Sequence, residues 1–210
     1  MALFDYFPNY VWNLSVAIAL ESGGRIGEIM DMCRPIRDAA ERGEDAGTGA
    51  FLQQWVQMAD KLAELAAEDE AGGRLFSAGE KLKRAAIYYQ TAERMQGHGH
   101  PGRGETYAKA LDSFQRGTRF AQDNVERVEI PYEGKHIAGL FTPADGLAPG
   151  QRAPVLVQVN GLDSTKEMKQ LVGLPQWMAR RGVSSLVVDD FTSLSLPNAW
   201  HQRIMSSSVE

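Results

Sequence analysis

Asn160-Gly161-Leu162-Asp163, running into Ser164-Thr165-Lys166-Glu167, is the stretch whose residue types and order point most directly to chemistry. A glycine turn after an apolar strand lets backbone approach a ligand closely. Ser164 and Glu167 have the spacing of a capping box, which closes the first turn of a helix. Strand, turn and capped helix in that order leave the amides near Gly161 to Asp163 directed out of the carboxyl end of a sheet, where open α/β sheets bind ligands. Amides so placed hold a negatively charged oxygen. Asp163 has two open readings, a contact to ligand or a charge that supports the helix amino terminus. Lys166 and Lys169 read as solvated.

Other reactive side chains are weaker candidates. Gly97-His98-Gly99-His100-Pro101 has the look of a metal pair, but no Cys or carboxylate stands at ligand spacing. It reads as a flexible connector, and neither a metal nor a cofactor is expected. Tyr88 and Tyr89 are adjacent, so only one is expected to face the packed side of its helix, and structural packing is the main expected role of the pair. His136 is expected on an exposed hairpin strand. Cys33 is the one cysteine, which excludes an internal disulfide and fits a reducing compartment. No Gly-x-Ser-x-Gly occurs anywhere; Glu21-Ser22-Gly23-Gly24 lacks the first glycine.

The elements that position these groups change character near residue 123. Before it the chain reads as helix after helix. Asn9 caps a helix through Leu20, and a second spans Ile26 to Arg42 with a kink or break at Pro35. A third presents Phe51, Trp55, Met58, Leu62 and Leu65 on one face, a stripe that reads as core packing. Acidic Glu64, Glu68, Asp69 and Glu70 decorate its end. Ser77-Ala78-Gly79-Glu80 is a second capping box, opening a helix through Met95 whose inward alanines suit a close neighbour. Tyr107, Leu111, Phe114 and Thr118 mark the last helix of this half.

After residue 123 the period is that of strands. Val125 to Tyr132 and Ile137 to Phe141 read as a hairpin turned at Glu133-Gly134-Lys135. Val155, Leu156, Val157 and Val159 form a short apolar run expected to be buried on both faces. One helix follows from Ser164 to Arg180-Arg181-Gly182, then a second buried strand from Ser185 to Asp189. Strand, helix, strand is a parallel unit. The expected organisation is a helical domain over residues 1–123, a partial α/β domain over 124–190, and an unrelated, poorly ordered tail over 191–210.

A hydrophobic fraction of 43% and a net charge of -5 are ordinary for a globular protein. Neither half carries the basic excess that a phosphate backbone requires, so nucleic acid is not an expected partner. The apolar stretch from Tyr10 to Leu20 lacks a preceding basic residue and is too short to cross a bilayer. A buried helix, no membrane, and a cytoplasmic protein are expected.

The sequence resembles the α/β-hydrolase superfamily, in its branch with a helical cap before the hydrolase core. That branch includes dihydroxypseudooxynicotine hydrolase and fungal enzymes that shorten polyketide pigment precursors. The resemblance is carried by Ser77-Ala78-Gly79-Glu80 with Arg84 to Tyr89, by Val128-Glu129-Ile130-Pro131-Tyr132-Glu133-Gly134, and by Val159 to Glu167. It implies serine-dependent hydrolysis of carbon–carbon or ester bonds in small organic substrates. It also implies a cap that lines the substrate pocket, which would give Tyr88 or Tyr89 a substrate contact. One oxyanion-hole amide would come from Leu162 or Asp163, with Gly161 as the turn. Such a donor contributes about 2.7–4 kcal/mol to the transition state. The implied sheet order is first, second, fourth, third strand.

The resemblance stops after Asp189. The serine elbow, the acid and the histidine of such an enzyme are absent. Ser193, Ser195 and His201 have no strand-turn-helix to place them as substitutes. The chain is therefore expected to be the front portion of a hydrolase, catalytically incomplete alone, with strand 155–159 left as an edge prone to aggregation or homo-oligomer formation. Two rivals remain: a non-catalytic binding or interaction module, and half of a split hydrolase completed by a partner chain.

Overall fold

The computed structural model describes residues 6–97, 99–133, 135–161 and 164–189. Expectations placed on His98, Gly134, Leu162, Asp163 and the 190–210 segment lie outside these residues. The chain divides into two compact units, one ending at Asp123 and one beginning at Asn124. The architecture is mixed α/β, a helical amino-terminal region followed by a four-stranded sheet. Among the described residues, no helix is long and apolar enough to cross a membrane.

In the helical unit, α1 (Tyr10–Glu21) is capped by Asn9, whose side chain accepts from the Trp12 amide at 2.9 Å. Its polarity is inverted. Trp12, Asn13, Ser15, Val16 and Ala19 are buried, while Tyr10, Val11 and Leu14 are exposed. Asn13 goes inside because its side chain acts as a surrogate peptide. Its Oδ1 accepts from the amides of Tyr6 and Phe7, and its Nδ2 donates to the Phe7 carbonyl at 2.8 Å. A buried amide so satisfied carries little penalty.

Pro35 breaks the next helix as its missing amide requires. The chain runs as α2 (Ile26–Cys33), a 3-10 turn over Arg34–Ile36 and α3 (Arg37–Glu41). Cys33 is buried there. The longest helices follow: α4 (Gly49–Ala71), α5 (Leu75–Arg94) and α6 (Arg103–Phe120). The buried stripe of α4 is Phe51, Trp55, Ala59, Leu62, Ala66 and Asp69. Met58 and Leu65, expected on that face, lie beside it, with Leu65 exposed. Small Ala59 and Ala66 are inside instead. Rings of Phe7, Trp12, Phe51, Trp55 and Tyr88 succeed one another at centroid distances of 5.0 to 5.8 Å, a continuous aromatic core.

The expected capping box at Ser77 is corrected. Helix α5 begins at Leu75, so Ser77 is helical. Its hydroxyl instead donates to Asp69 Oδ2 at 2.5 Å, beside Lys81 Nζ and with Arg74 Nε on Oδ1 at 2.8 Å. Asp69, expected as surface decoration, ties the end of α4 to the start of α5. Hydrogen bonds from Lys81, Ser77 and Arg74 hold its carboxyl well below the usual carboxylate range.

In the sheet unit, β1 (Glu126–Tyr132) and β2 (Lys135–Thr142) pair as the expected antiparallel hairpin. Strands β3 (Val155–Val159) and β4 (Ser184–Val188) are parallel, and the sheet order is β1-β2-β4-β3, as the resemblance implied. Strand β4 is buried; β3 is not. Val155, Val157 and Val159 are each about half exposed, at 49%, 58% and 49%. The β-branched run reflects strand propensity, and the face that carries Val155, Val157 and Val159 is only partly covered by the described residues. The single helix expected after Ser164 is two, α7 (Lys166–Leu171) and α8 (Leu174–Ala179). Gly173 separates them with a φ of +91°, a left-handed conformation that ends the first helix. Trp177 is exposed.

Helices α5 and α6 approach most closely where Gly79 meets Gly117. A Cβ on Gly79 would stand 2.6 Å from the Ala121 nitrogen and 2.8 Å from the Gly117 oxygen. Backbone atoms cannot yield as a flexible side chain does. Gly79→Ala is expected to lower the unfolding free energy by about 1–3 kcal/mol in urea titrations followed by circular dichroism. Gly27→Ala, in α2 with nothing within 4 Å of the new methyl, is expected to raise it by about 0.4–1 kcal/mol.

Candidate functional site

Strands β3 and β4 are in register at Val159 and Val188. The next residue of each, Asn160 and Asp189, therefore arrives side by side at the carboxyl end of the parallel pair. Asn160 Nδ2 donates to Asp189 Oδ1 at 2.7 Å. The same oxygen accepts the backbone amide of Lys166 at 2.8 Å, and Oδ2 accepts Lys166 Nζ at 2.8 Å. The ammonium also meets Glu167 Oε1 at 2.9 Å. Lys166, Glu167 and Asn160 are only 3%, 3% and 5% exposed.

The expected solvated role of Lys166 is thereby corrected. A lysine two residues past a turn reads as surface from sequence, but here a carboxylate from β4 draws it inward. One buried ammonium faces two carboxyl groups. Burial alone would push Lys166 down, yet the charges of Glu167 and Asp189 outweigh it and hold the lysine above its ordinary value. Burial pushes Asp189 up; Lys166 opposes that and the Glu167 charge adds to it. Lys166 thus has no free lone pair for nucleophilic attack, and both oxygens of Asp189 are engaged. Asn160 Oδ1 and Glu167 Oε2 are buried with no donor among the described residues. The cluster joins β3, α7 and the end of β4.

The turn itself differs from expectation in two ways. Helix α7 is capped by Thr165, whose hydroxyl accepts from the Met168 amide at 3.3 Å, and not by Ser164. Ser164 closes the turn instead, its amide and hydroxyl both donating to the Gly161 carbonyl at 3.2 and 3.3 Å. Glu167 is inside with Lys166 and does not reach back to complete a capping box. Gly161 is exposed and not in the left-handed region, and a methyl there would meet nothing within 4 Å. What ends β3 is the inward bond of Asn160 to Asp189, more than glycine's freedom. The amides assigned to Leu162 and Asp163 fall outside the described residues.

Tyr88 and Tyr89 are both buried, which corrects the expectation that only one faces a packed side. Helix α5 packs against α4 and against α6, so it has no free flank of this kind. The Tyr88 hydroxyl donates to Glu28 Oε2 at 2.6 Å and accepts the Arg25 amide at 2.9 Å. The Tyr89 hydroxyl donates to Asp60 Oδ1, which also takes Lys109 Nζ at 3.0 Å. Burial first, and then the carboxylate partner, pushes each phenol above its ordinary value. His136 is exposed on β2, where the hairpin reading put it.

Sequence reasoning missed the Asn160–Lys166–Glu167–Asp189 cluster. A signal existed. Val157-Gln158-Val159-Asn160 and Val187-Val188-Asp189 both end a valine-rich run on a polar residue, and parallel pairing aligns such ends.

No family model matches the chain. Curated relatives do. The chain is 30% identical over 170 residues to hydrolase LUC6 of a Fusarium species, covering 79% of this chain and 40% of that protein. It is 28% identical over 159 residues to the α/β hydrolase psoB of Aspergillus fumigatus, covering 72% of this chain and 34% of that protein. Among solved structures, the 2,6-dihydroxy-pseudo-oxynicotine hydrolase matches with a TM-score of 0.62 at 20% identity, over 83% of this chain and 45% of that one. That likeness is one of fold. The chain spans less than half the length of these relatives.

A hairpin feeding a parallel strand-helix-strand unit, with a helical region before it, defines part of a hydrolase-type α/β fold. With hydrolases as its curated relatives, the chain belongs to the α/β-hydrolase superfamily.

Removing the buried cation should expose the repulsion it masks. In Lys166→Met the Glu167 and Asp189 carboxyls face each other without a counter-charge. A loss of about 3–5 kcal/mol in unfolding free energy is expected at neutral pH. Repulsion raises the folded-state carboxyl pKa above the unfolded value, so the folded protein binds the extra proton. The deficit should therefore shrink as pH falls from 8 towards 5, read by urea unfolding at each pH.

Proposed function

We propose that these residues form the oxyanion-side part of a serine-dependent hydrolase acting on small organic carbonyl or ester substrates. The helical unit is its cap, and the turn from Gly161 to Asp163 supplies one of the amides that receive negative charge from the attacked carbonyl. The observation that carries this reading is the buried polar anchor at the carboxyl ends of β3 and β4, which ties that turn to the sheet. The names of the curated relatives support the reaction class.

The reaction needs a nucleophilic hydroxyl, a base to take its proton and a carboxylate to orient the base. The 210 residues contain no Gly-x-Ser-x-Gly elbow, so the chain by itself performs no turnover in this reading. A purified sample should release no product from an aryl ester or a β-diketone above the buffer rate. Steady turnover, lost on treatment with a serine-directed sulfonyl fluoride, overturns the proposal.

A second reading has its own observation. Among the described residues strand β3 stands at the edge of the sheet, with Val155, Val157 and Val159 half exposed, and such an edge recruits another strand. In this reading the chain self-associates through residues 155–159. Sedimentation should show concentration-dependent association that Val157→Lys weakens by at least about tenfold. A monodisperse wild-type monomer at the highest attainable concentration contradicts it.

A further inference from the structure

Between Asn160 and Lys166 the chain must leave a strand, reverse direction and enter a helix. Short turns of this kind usually hold themselves through local hydrogen bonds. Among the described residues of the span, the Gly161 carbonyl takes Ser164, and Thr165 caps the helix. The two ends of the span are held by something else. Asn160 Nδ2 at one end and the Lys166 amide at the other converge on a single atom, Asp189 Oδ1, at 2.7 and 2.8 Å. That atom belongs to β4, the strand beside β3, and lies outside the span altogether.

We propose that Asp189 is the positioning residue of the β3–α7 connection, setting the separation of its two ends from the neighbouring strand. The purpose assigned to that connection rests on the reading under Proposed function; the tether itself does not.

Three features support a tether over simple charge pairing. Lys166 has a nearer carboxyl in sequence, Glu167, which already meets its ammonium at 2.9 Å; the ammonium does not need Asp189 for a partner. Asn160 is neutral, so charge neutralisation gives no reason for its bond to Asp189. A buried carboxylate is also costly unless its oxygens are filled, and here Oδ1 is filled by one donor from each end of the connection. Asp189 reaches no substrate in this account and acts through backbone geometry alone.

Amide hydrogen exchange by NMR on the full chain tests this, with each rate divided by those of Leu186 and Val187 in β4 of the same variant. Asp189→Asn should speed exchange at Ser164 and Lys166 by at least about tenfold on that ratio. The Lys166 amide proton should also lose the low-field shift of a charge-assisted bond. Asp189→Glu, which keeps the charge and moves the oxygens, should fail to restore the ratio. Asn160→Ala should speed Ser164 while leaving Lys166 less affected, and it decides the question if Asp189→Asn does not fold. Uniform acceleration across the sheet unit, restoration by Asp189→Glu, or an unchanged Ser164 in Asn160→Ala each overturns the proposal. None of these ratios depends on hydrolysis. Loss of the hydrolase reading would leave them standing, and their failure would leave that reading intact.

Discussion

The register of two parallel strands governs the sheet unit. Pairing Val159 with Val188 brings Asn160 beside Asp189, and a slip of one residue would turn every side chain to the other face. Asp189 would then point away from Asn160 and Lys166, leaving a buried carboxylate without its donors. The polar cluster thus makes the correct pairing unique, at the cost of bringing charge inside. Buried hydrogen bonding between Gln170 and Thr142 continues the device one helical turn further on, joining α7 to β2.

The helical unit solves a different problem, a long central helix packed on both flanks. Helix α5 meets α4 through alanines and aromatic rings, and meets α6 through glycines. Three of its polar residues take partners from other helices or from the turn before α2: Glu28 for Tyr88 and Arg84, Asp60 for Tyr89. The buried Arg103–Glu93 pair, 2.6 Å apart, fixes the entry to α6. Glu28 and Asp60 join segments far apart in sequence and Glu93 joins consecutive helices, so the polar bonds help set which helix lies where while the aromatic core supplies most of the driving force.

Much of this was readable from residue order. The Pro35 break, the hairpin at Glu133, the parallel pair and the change of character near Asp123 all follow from local rules, since proline geometry, turn chemistry and periodicity act within a few residues. The errors share a cause. Ser77 and Lys166 each carry a side chain whose local reading is sound, a cap or a solvated cation, but each is claimed by a carboxylate from another element: Asp69 for Ser77, Asp189 for Lys166. Ser164 was displaced by one residue because Thr165 offers the same hydroxyl at the position where the helix starts. Val155 to Val159 read as interior because β-branching reports strand propensity and cannot report whether a neighbour covers it. Most of the candidate site was invisible for the same reason, since it forms only when two strands align.

Cys33 gives the helical unit a property that the sheet unit lacks. It is the one cysteine in 210 residues, it is buried, and burial pushes its thiol up to about 12. Almost no thiolate exists at neutral pH while the helices stay closed. Alkylation at this sulfur therefore clocks the opening of the α2 region, and a mass increment of a single adduct would count how often the helices breathe while the sheet, having no sulfur nucleophile among its described residues, stays silent.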